Sequence, residues 1–257
     1  MCFCGSDEIN AYKNRLWGDI NNHLFMLEIP VNTDESYYRK SGDGGYVMLN
    51  NFQHGRVTYS FGINDDVSWD ADMVKYGYDI YMYDHTIEKL PYERKEFHFY
   101  KYGISSRNVG DLNTLKYFLQ TNGHMSEDKM ILKMDIEGAE WDVLANIEEN
   151  ILSKFSQVVV EFHGLLSVYD ESREIVFSAL KKLNAKHKLI HLHGNNMGNY
   201  ICYDNRIIPD ALEATYVRKD MPDILWSNEE VNLPLILDEP NDPYRPDLIL
   251  GHWNAGG

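Results

Sequence analysis

Three stretches of the sequence concentrate side chains that can move protons or hold charge. Each stands where an apolar run gives way to a turn. In LKMDIEGAEWDVL, residues 132–144, Asp135 follows the run, and Glu137, Gly138 and Glu140 come next. Three carboxylates this close repel one another unless something cationic or protonated satisfies them. A cationic cofactor, a metal ion or a proton in transit would do so. Glu140, with Asp142, reads equally well as an acid favouring the positive end of the following helix. In VVVEFHG, residues 158–164, Glu161 and His163 alternate onto one side of a β-branched strand. An imidazole there could take a proton from a hydroxyl. His163 and Asp135 are therefore the candidate catalytic residues, His163 ranked first as base. The third stretch is HLHGNN, residues 191–196. His193, Asn195 and Asn196 join Glu137 and Glu161 as candidate substrate-binding residues. Asp135, His163 and His193 could also hold a divalent ion, and a metal-free reaction is equally open.

A fourth stretch speaks to a cofactor. FGINDD places Gly62 at the end of an apolar run, and Asp84 ends the next run 22 residues later. A glycine turn followed at about that distance by an acid is the pattern that accepts ribose hydroxyls, so an adenosine-containing ligand is expected. The three-glycine dinucleotide fingerprint is missing: residues 62–67 read Gly-Ile-Asn-Asp-Asp-Val. Two carboxylates there would repel a pyrophosphate, but suit the ammonium and sulfonium of S-adenosylmethionine.

These residues need a scaffold that gathers strand ends. Apolar runs at 56–63, 79–84, 97–105, 129–136, 155–164 and 187–195 alternate with helical periodicity at 67–77, 111–122, 141–152 and 171–185. Strands alternating with helices predict a doubly wound α/β fold with a mostly parallel sheet, whose ligands sit beyond the carboxyl ends of the strands. A late strand at 212–219 arrives without a crossover helix and should pair antiparallel. Before this core, residues 6–28 carry helical spacing. SGDGGYVML, residues 41–49, reads as a glycine turn entering a strand. After it, LPLILDEPNDPYRPDLIL holds four prolines and should wrap over the surface. The expected organisation is one domain over 1–257: a helical lead-in to 36, a catalytic core over 37–220 and a C-terminal wrap from 221.

Composition narrows the partners. The formal net charge of -16 repels phosphate backbones and acidic bilayers, so neither nucleic acid nor a membrane surface is expected. No run of about 18 apolar residues could span a bilayer. The three cysteines have no framework spacing, and the first residues lack a signal-peptide pattern; a reducing, cytoplasmic setting is expected.

SGDGGYVM, YSFGINDDVSWD, YMYDHT, LKMDIEGAEWDVL, VVVEFHGL and LEATYVRK together resemble the FkbM-like family of S-adenosylmethionine-dependent methyltransferases over about residues 37–220. The resemblance implies a class I methyltransferase fold, Rossmann-like, with seven strands and the last antiparallel. It implies that Gly62 and neighbours such as Asn64 line the methionine moiety. Asp84 with His85 would hold the ribose, residues near Gly103–Ser105 the adenine, and Asp135 would face the transferred methyl. Ser60 stands where many class I enzymes carry an acid two before the glycine, so the cofactor's amino group must find another carboxylate, Asp43 or Asp66. Family members often methylate sugar or natural-product hydroxyls, so the implied reaction is O-methylation of a carbohydrate, free, nucleotide-linked or destined for a surface glycan. An NAD-dependent oxidoreductase and a non-catalytic adenosine-binding protein are the competing readings.

Overall fold

The structure, a computed structural model, describes residues 29–30, 37–39, 45–52, 55–167, 170–203, 206–222, 224–227 and 230–253. The lead-in helix expected at 6–28 and Asp43 lie outside the described residues.

The central sheet has seven strands: β1 (Val57–Phe61), β2 (Asp79–Tyr83), β3 (Phe97–Tyr100), β4 (Met130–Met134), β5 (Phe155–Phe162), β6 (His187–Gly194) and β7 (Leu212–Arg218). Their spatial order is β6-β7-β5-β4-β1-β2-β3. The pairs from β3 through β5 are parallel, and β7 lies antiparallel between β5 and β6. This is the Rossmann-like, class I arrangement, with the expected antiparallel strand arriving last. Strands buried on both faces read as continuous apolar runs, which is why MIL and VVV carry no polar alternation. The winding direction reverses between β1 and β4, so the loops after these two strands open a crevice.

Helices α1 (Ser68–Lys75), α2 (Leu115–Thr121), α3 (Glu140–Asn146), α4 (Glu149–Leu152) and α5 (Asp170–Lys186) accompany the sheet. Strand parity divides the core. Tyr59, Phe61, Leu132, Met134, Val158 and Val160 join one hydrophobic cluster with residues of α2–α5, while Ile131 and Val159 join a second with α1. Side chains two residues further along β4 and β5 keep the second side, so Lys133, Asp135, Glu161 and His163 share one side of the sheet.

The sequence reading differs from the structure at three elements. The strand expected at 97–105 ends at Tyr100: the chain turns with Tyr102 N donating to the Tyr100 carbonyl, and Gly103–Ile104 pairs with Leu112–Asn113 instead. The helix expected from Asp111 starts at Leu115, because Thr114 is the residue whose hydroxyl accepts from Tyr117 N (3.2 Å). The helix expected at 141–152 is broken at Ile147, whose ψ of 136° is extended.

Within residues 230–253, Asp238 and Asp247 pair with His191 and His193 of β6, and Asn241 donates to Glu213 of β7.

Candidate active site

A cavity of about 1040 Å³ opens over the carboxyl ends of β1, β2, β4 and β5. Gly62, Asn64, Asp66, Asp84, His85, Ser105, Asp135, Glu137, Glu161, His163 and Asn195 all line it. The structure thus gathers into one place residues separated by more than 130 positions in the chain.

The crevice floor depends on Gly62. Its φ is +77°, and a Cβ there would lie 1.5 Å from the Asp135 carbonyl oxygen. Only glycine permits this contact between the loops after β1 and β4. Asn64 also has positive φ (49°), and the loop is held open by Asp84. One Asp84 oxygen accepts from Ile63 N (2.9 Å) and Asn64 N (3.0 Å), the other from Thr86 N and Oγ1 (2.8 and 2.5 Å). Burial alone would raise this carboxyl, but these donors outweigh it and hold Asp84 below the usual range. At the other wall, a Cβ on Gly103 would lie 2.6 Å from His85 Nδ1, so the loop after β3 packs directly on that ring. Asp66 accepts from Ser68 N (2.8 Å) and caps the approach to α1.

The loop after β4 is built around Glu140. This side chain is 0% exposed. It accepts from Ile136 N (2.9 Å), Gly138 N (2.9 Å) and His163 Nδ1 (3.0 Å). It therefore shapes a turn with positive φ at Glu137 (56°) and Gly138 (106°), and it orients the imidazole. The other imidazole nitrogen, Nε2, faces three carboxylates: Glu137 at 3.7 Å and Asp135 at 3.9 Å from the loop after β4, and Glu161 at 3.7 Å from the end of β5. Burial opposes a charge on His163, but the Glu140 hydrogen bond and the surrounding carboxylates prevail and push it up to about 9. Burial also raises Asp135, against the pull of Lys133 and His163.

Glu161 has a further reason to be perturbed. It pairs across the strands with Glu213, which pairs in turn with His193, so Glu161, Glu213 and His193 form one row over β5, β7 and β6. Burial and then the facing Glu213 push Glu161 up to about 8. Asn195 donates to Glu161 at 2.7 Å and fixes it at the cavity wall.

Two residues expected at the substrate lie away from the cavity. His193 does not line the cavity; it bridges Glu213 (3.1 Å) and Asp247 (3.0 Å), beneath the C-terminal segment. Asn196 does not reach the cavity either: its amide exchanges hydrogen bonds with Asp242 N (2.8 Å) and Asp242 O (3.0 Å). Both clamp that segment, because the strap supplies the partners that their buried positions require. His193 is therefore also separated from any divalent ion at Asp135. Asp135, Glu140 and His163 lie within 4.8 Å of one another, close enough to share a metal ion. The Glu140 oxygens are already committed to the loop, so such an ion would have to displace their donors.

Sequence reasoning missed Glu140 as the organiser of the site, Trp69, Thr86 and Lys133 on the cavity wall, and the buried Asp70. Lys133 Nζ donates to the Gly62 carbonyl (2.9 Å) and lies 3.9 Å from Asp135. Asp70 is buried in α1; burial raises its carboxyl against the Lys133 ammonium and the Ser60 hydroxyl. Signals were present: Lys133 interrupts a buried apolar strand, and Asp70 lies three residues from both Val67 and Met73 on the core face of α1. These residues meet where Ser60 replaces the acid common in this fold.

The site suits S-adenosylmethionine. The cavity has room for a cofactor and an acceptor together, the Gly62 turn leaves backbone exposed at its floor, and its carboxylates outnumber its cations, matching a sulfonium and an ammonium. No curated protein matches the sequence. Among solved structures, a protein named as a candidate hemolysin from Streptococcus thermophilus is 12% identical, with 84% of this chain and 88% of that chain covered at a TM-score of 0.40. A SAM-dependent methyltransferase from Agrobacterium tumefaciens is 9% identical, with 74% and 72% covered at 0.37. The family model of the methyltransferase FkbM domain matches residues 30–184, more than half of the chain, and the protein belongs to that family of S-adenosylmethionine-dependent methyltransferases.

Proposed function

We propose that the enzyme methylates a hydroxyl of a carbohydrate, with Asp135 and His163 as its catalytic pair. The observation that carries this reading is the cluster in which His163 Nε2 faces Asp135 and Glu161 at the mouth of the cofactor crevice. A bound S-adenosylmethionine supplies an activated methyl on a good leaving group. Gly62, Asn64 and the Asp84-braced loop would hold its methionine end, His85 and the Gly103–Ser105 loop its adenosine end. Asp66, which lines the cavity four residues after Gly62, would meet its amino group.

The chain's own task is to align an acceptor oxygen and accept its proton. At neutral pH His163 already carries a proton, which reverses the order expected from sequence: Asp135 accepts the proton, and the Glu140-held imidazolium orients Asp135. Glu137, Glu161 and Asn195 would contact the acceptor. The acidity of the molecule disfavours nucleic acid as acceptor. Among the described residues no helix is long and apolar enough to cross a membrane; the cytoplasmic setting proposed for the enzyme rests on the three cysteines, whose positions have no disulfide-framework spacing. We treat the described elements as one methyltransferase unit.

The test is S-adenosylhomocysteine release with a panel of sugars and glycans. Asp135→Asn should lower kcat by about 10²–10⁴ with cofactor affinity near wild type. His163→Gln should cost less. If Asp135→Asn retains kcat, Asp135 is not the base; if no hydroxyl acceptor in the panel is methylated, the O-methylation reading falls.

A further inference from the structure

The acceptor side of the cavity is formed by Glu137, Glu161, His163, Asn195, Met197 and Asp210. Three of these are carboxylates, and the imidazolium among them is already matched by Glu140 beneath it (3.0 Å). The only Lys or Arg among the described residues lining the whole cavity is Lys133. Its ammonium is spent: it donates to the Gly62 carbonyl and faces Asp135, with its side chain 8% exposed. A phosphate or carboxylate on the acceptor would meet no available cation among the described residues. It would also stand beside Glu161, which already faces Glu213 across the strands, and disfavour its ionisation further, whereas a cation there would be matched by it.

From this we infer that the acceptor is cationic: a hydroxylated amine of the amino-sugar class, not a nucleotide-linked sugar. The inference rests on the methyltransferase reading and names the charge of the substrate for the same site. The acceptor's ammonium would sit among Glu137, Glu161 and Asp210, within reach of the hydroxyl that Asp135 serves. Glu161 is held in place by Asn195 (2.7 Å), and Asp210 by Leu166 N (2.9 Å), so two of the three carboxylates are fixed in advance. The net charge of -16 acts in the same direction at long range, raising the encounter rate of cations and lowering that of diphosphates.

The experiment compares matched probes on the full chain loaded with S-adenosylhomocysteine, by calorimetry at low and moderate salt. The probes are glucosamine and kanamycin, their N-acetylated counterparts, and UDP-N-acetylglucosamine. The expected result is that the amines bind at least tenfold more tightly than the acetylated forms, that their affinity falls as salt rises, and that the nucleotide-linked sugar does not bind. Glu161→Gln should weaken amine binding about tenfold. Glu137→Gln, at a solvent-exposed position where folding is not at stake, should weaken it several-fold and flatten the salt dependence. Equal affinity for amine and acetylated probes, no amine binding, or preferential binding of the nucleotide-linked sugar overturns the inference. Cofactor binding is measured separately. If S-adenosylhomocysteine fails to bind, the site reading itself is wrong; if it binds and the anionic probe wins, only the acceptor charge is wrong.

Discussion

At the scale of the residue, the site is a set of groups that cannot be exchanged for near relatives. Gly62 is the strictest. Its positive φ and the 1.5 Å approach of a hypothetical Cβ to the Asp135 carbonyl leave no room for any side chain. Gly62→Ala should therefore push the loops after β1 and β4 apart and abolish measurable cofactor binding, which calorimetry on a folded variant would show; retained affinity would mean the crevice floor does not touch the cofactor. Asp84 acts differently. Its carboxylate already accepts from Ile63 N, Asn64 N and Thr86, so it shapes the loop as well as facing the cavity. Asp84→Ala leaves those donors unpaired and should weaken S-adenosylmethionine binding by about 1.5–3 kcal/mol, again by calorimetry. Sequence alone located Gly62, Asp84, Asp135, Glu161 and His163, because each ends an apolar run and strand ends converge in this fold. It did not distinguish Glu140 from an ordinary acid of a first helical turn. That distinction depends on burial and on the turn at Glu137 and Gly138, both products of tertiary packing.

At the scale of the element, the strand pattern was legible and the cover was not. Parallel strands announce themselves as apolar runs, but nothing local says that the segment after 230 must seat on β6 and β7. Its role follows from unmet needs. The row Glu161, Glu213 and His193 places two carboxylates opposite each other, and His191 lies beside it. Asn241 donates to Glu213 (2.7 Å), Asp247 pairs with His193 (3.0 Å) and Asp238 with His191 (3.1 Å), so the strap supplies the charges and amides the sheet lacks. The residues HLHGNN looked like a binding motif because the same polar types serve either purpose. Burial opposes a charge on His193, but the hydrogen bonds it donates to Asp247 and Glu213 push it up to about 10. The folded value lies above the unfolded one of about 6.5. The stabilisation is therefore fully present below about pH 6.5 and is lost as pH rises towards 10. His193→Ala leaves two carboxylates without their counter-ion and should cost about 3 kcal/mol or more. The checks are thermal melts at pH 6 and at pH 9.5: the variant's deficit in Tm should be large at the first and much smaller at the second. An equal deficit at both would show that the imidazole acts by packing alone.

At the scale of the whole molecule, charge ties the scaffold to the chemistry. In a chain of net charge -16, Glu161 and His163 meet at one cavity and hold protons they would lose in water. Burial and Glu213 push Glu161 up to about 8, and Glu140 with the other carboxylates pushes His163 up to about 9. Between about pH 7 and 9 both groups are partly protonated, and those protons stand in for a cation. A ligand bringing positive charge beside Asp135 competes with them, because a nearby cation lowers the pKa of both groups. Binding of S-adenosylmethionine should therefore release protons and should tighten as pH rises through this window, since linkage makes affinity grow where the bound state holds fewer protons. S-adenosylhomocysteine lacks the sulfonium charge and should release fewer protons at the same pH. The measurement is calorimetry at pH 8 in Tris and in phosphate, whose ionisation enthalpies differ: the apparent binding enthalpy of S-adenosylmethionine should differ between the two buffers by more than that of S-adenosylhomocysteine. Glu161→Gln removes one titrating group and should reduce the difference. Identical enthalpies in both buffers for both ligands would place the cofactor's charge away from the cluster, and with it the methyl group that Asp135 is proposed to face.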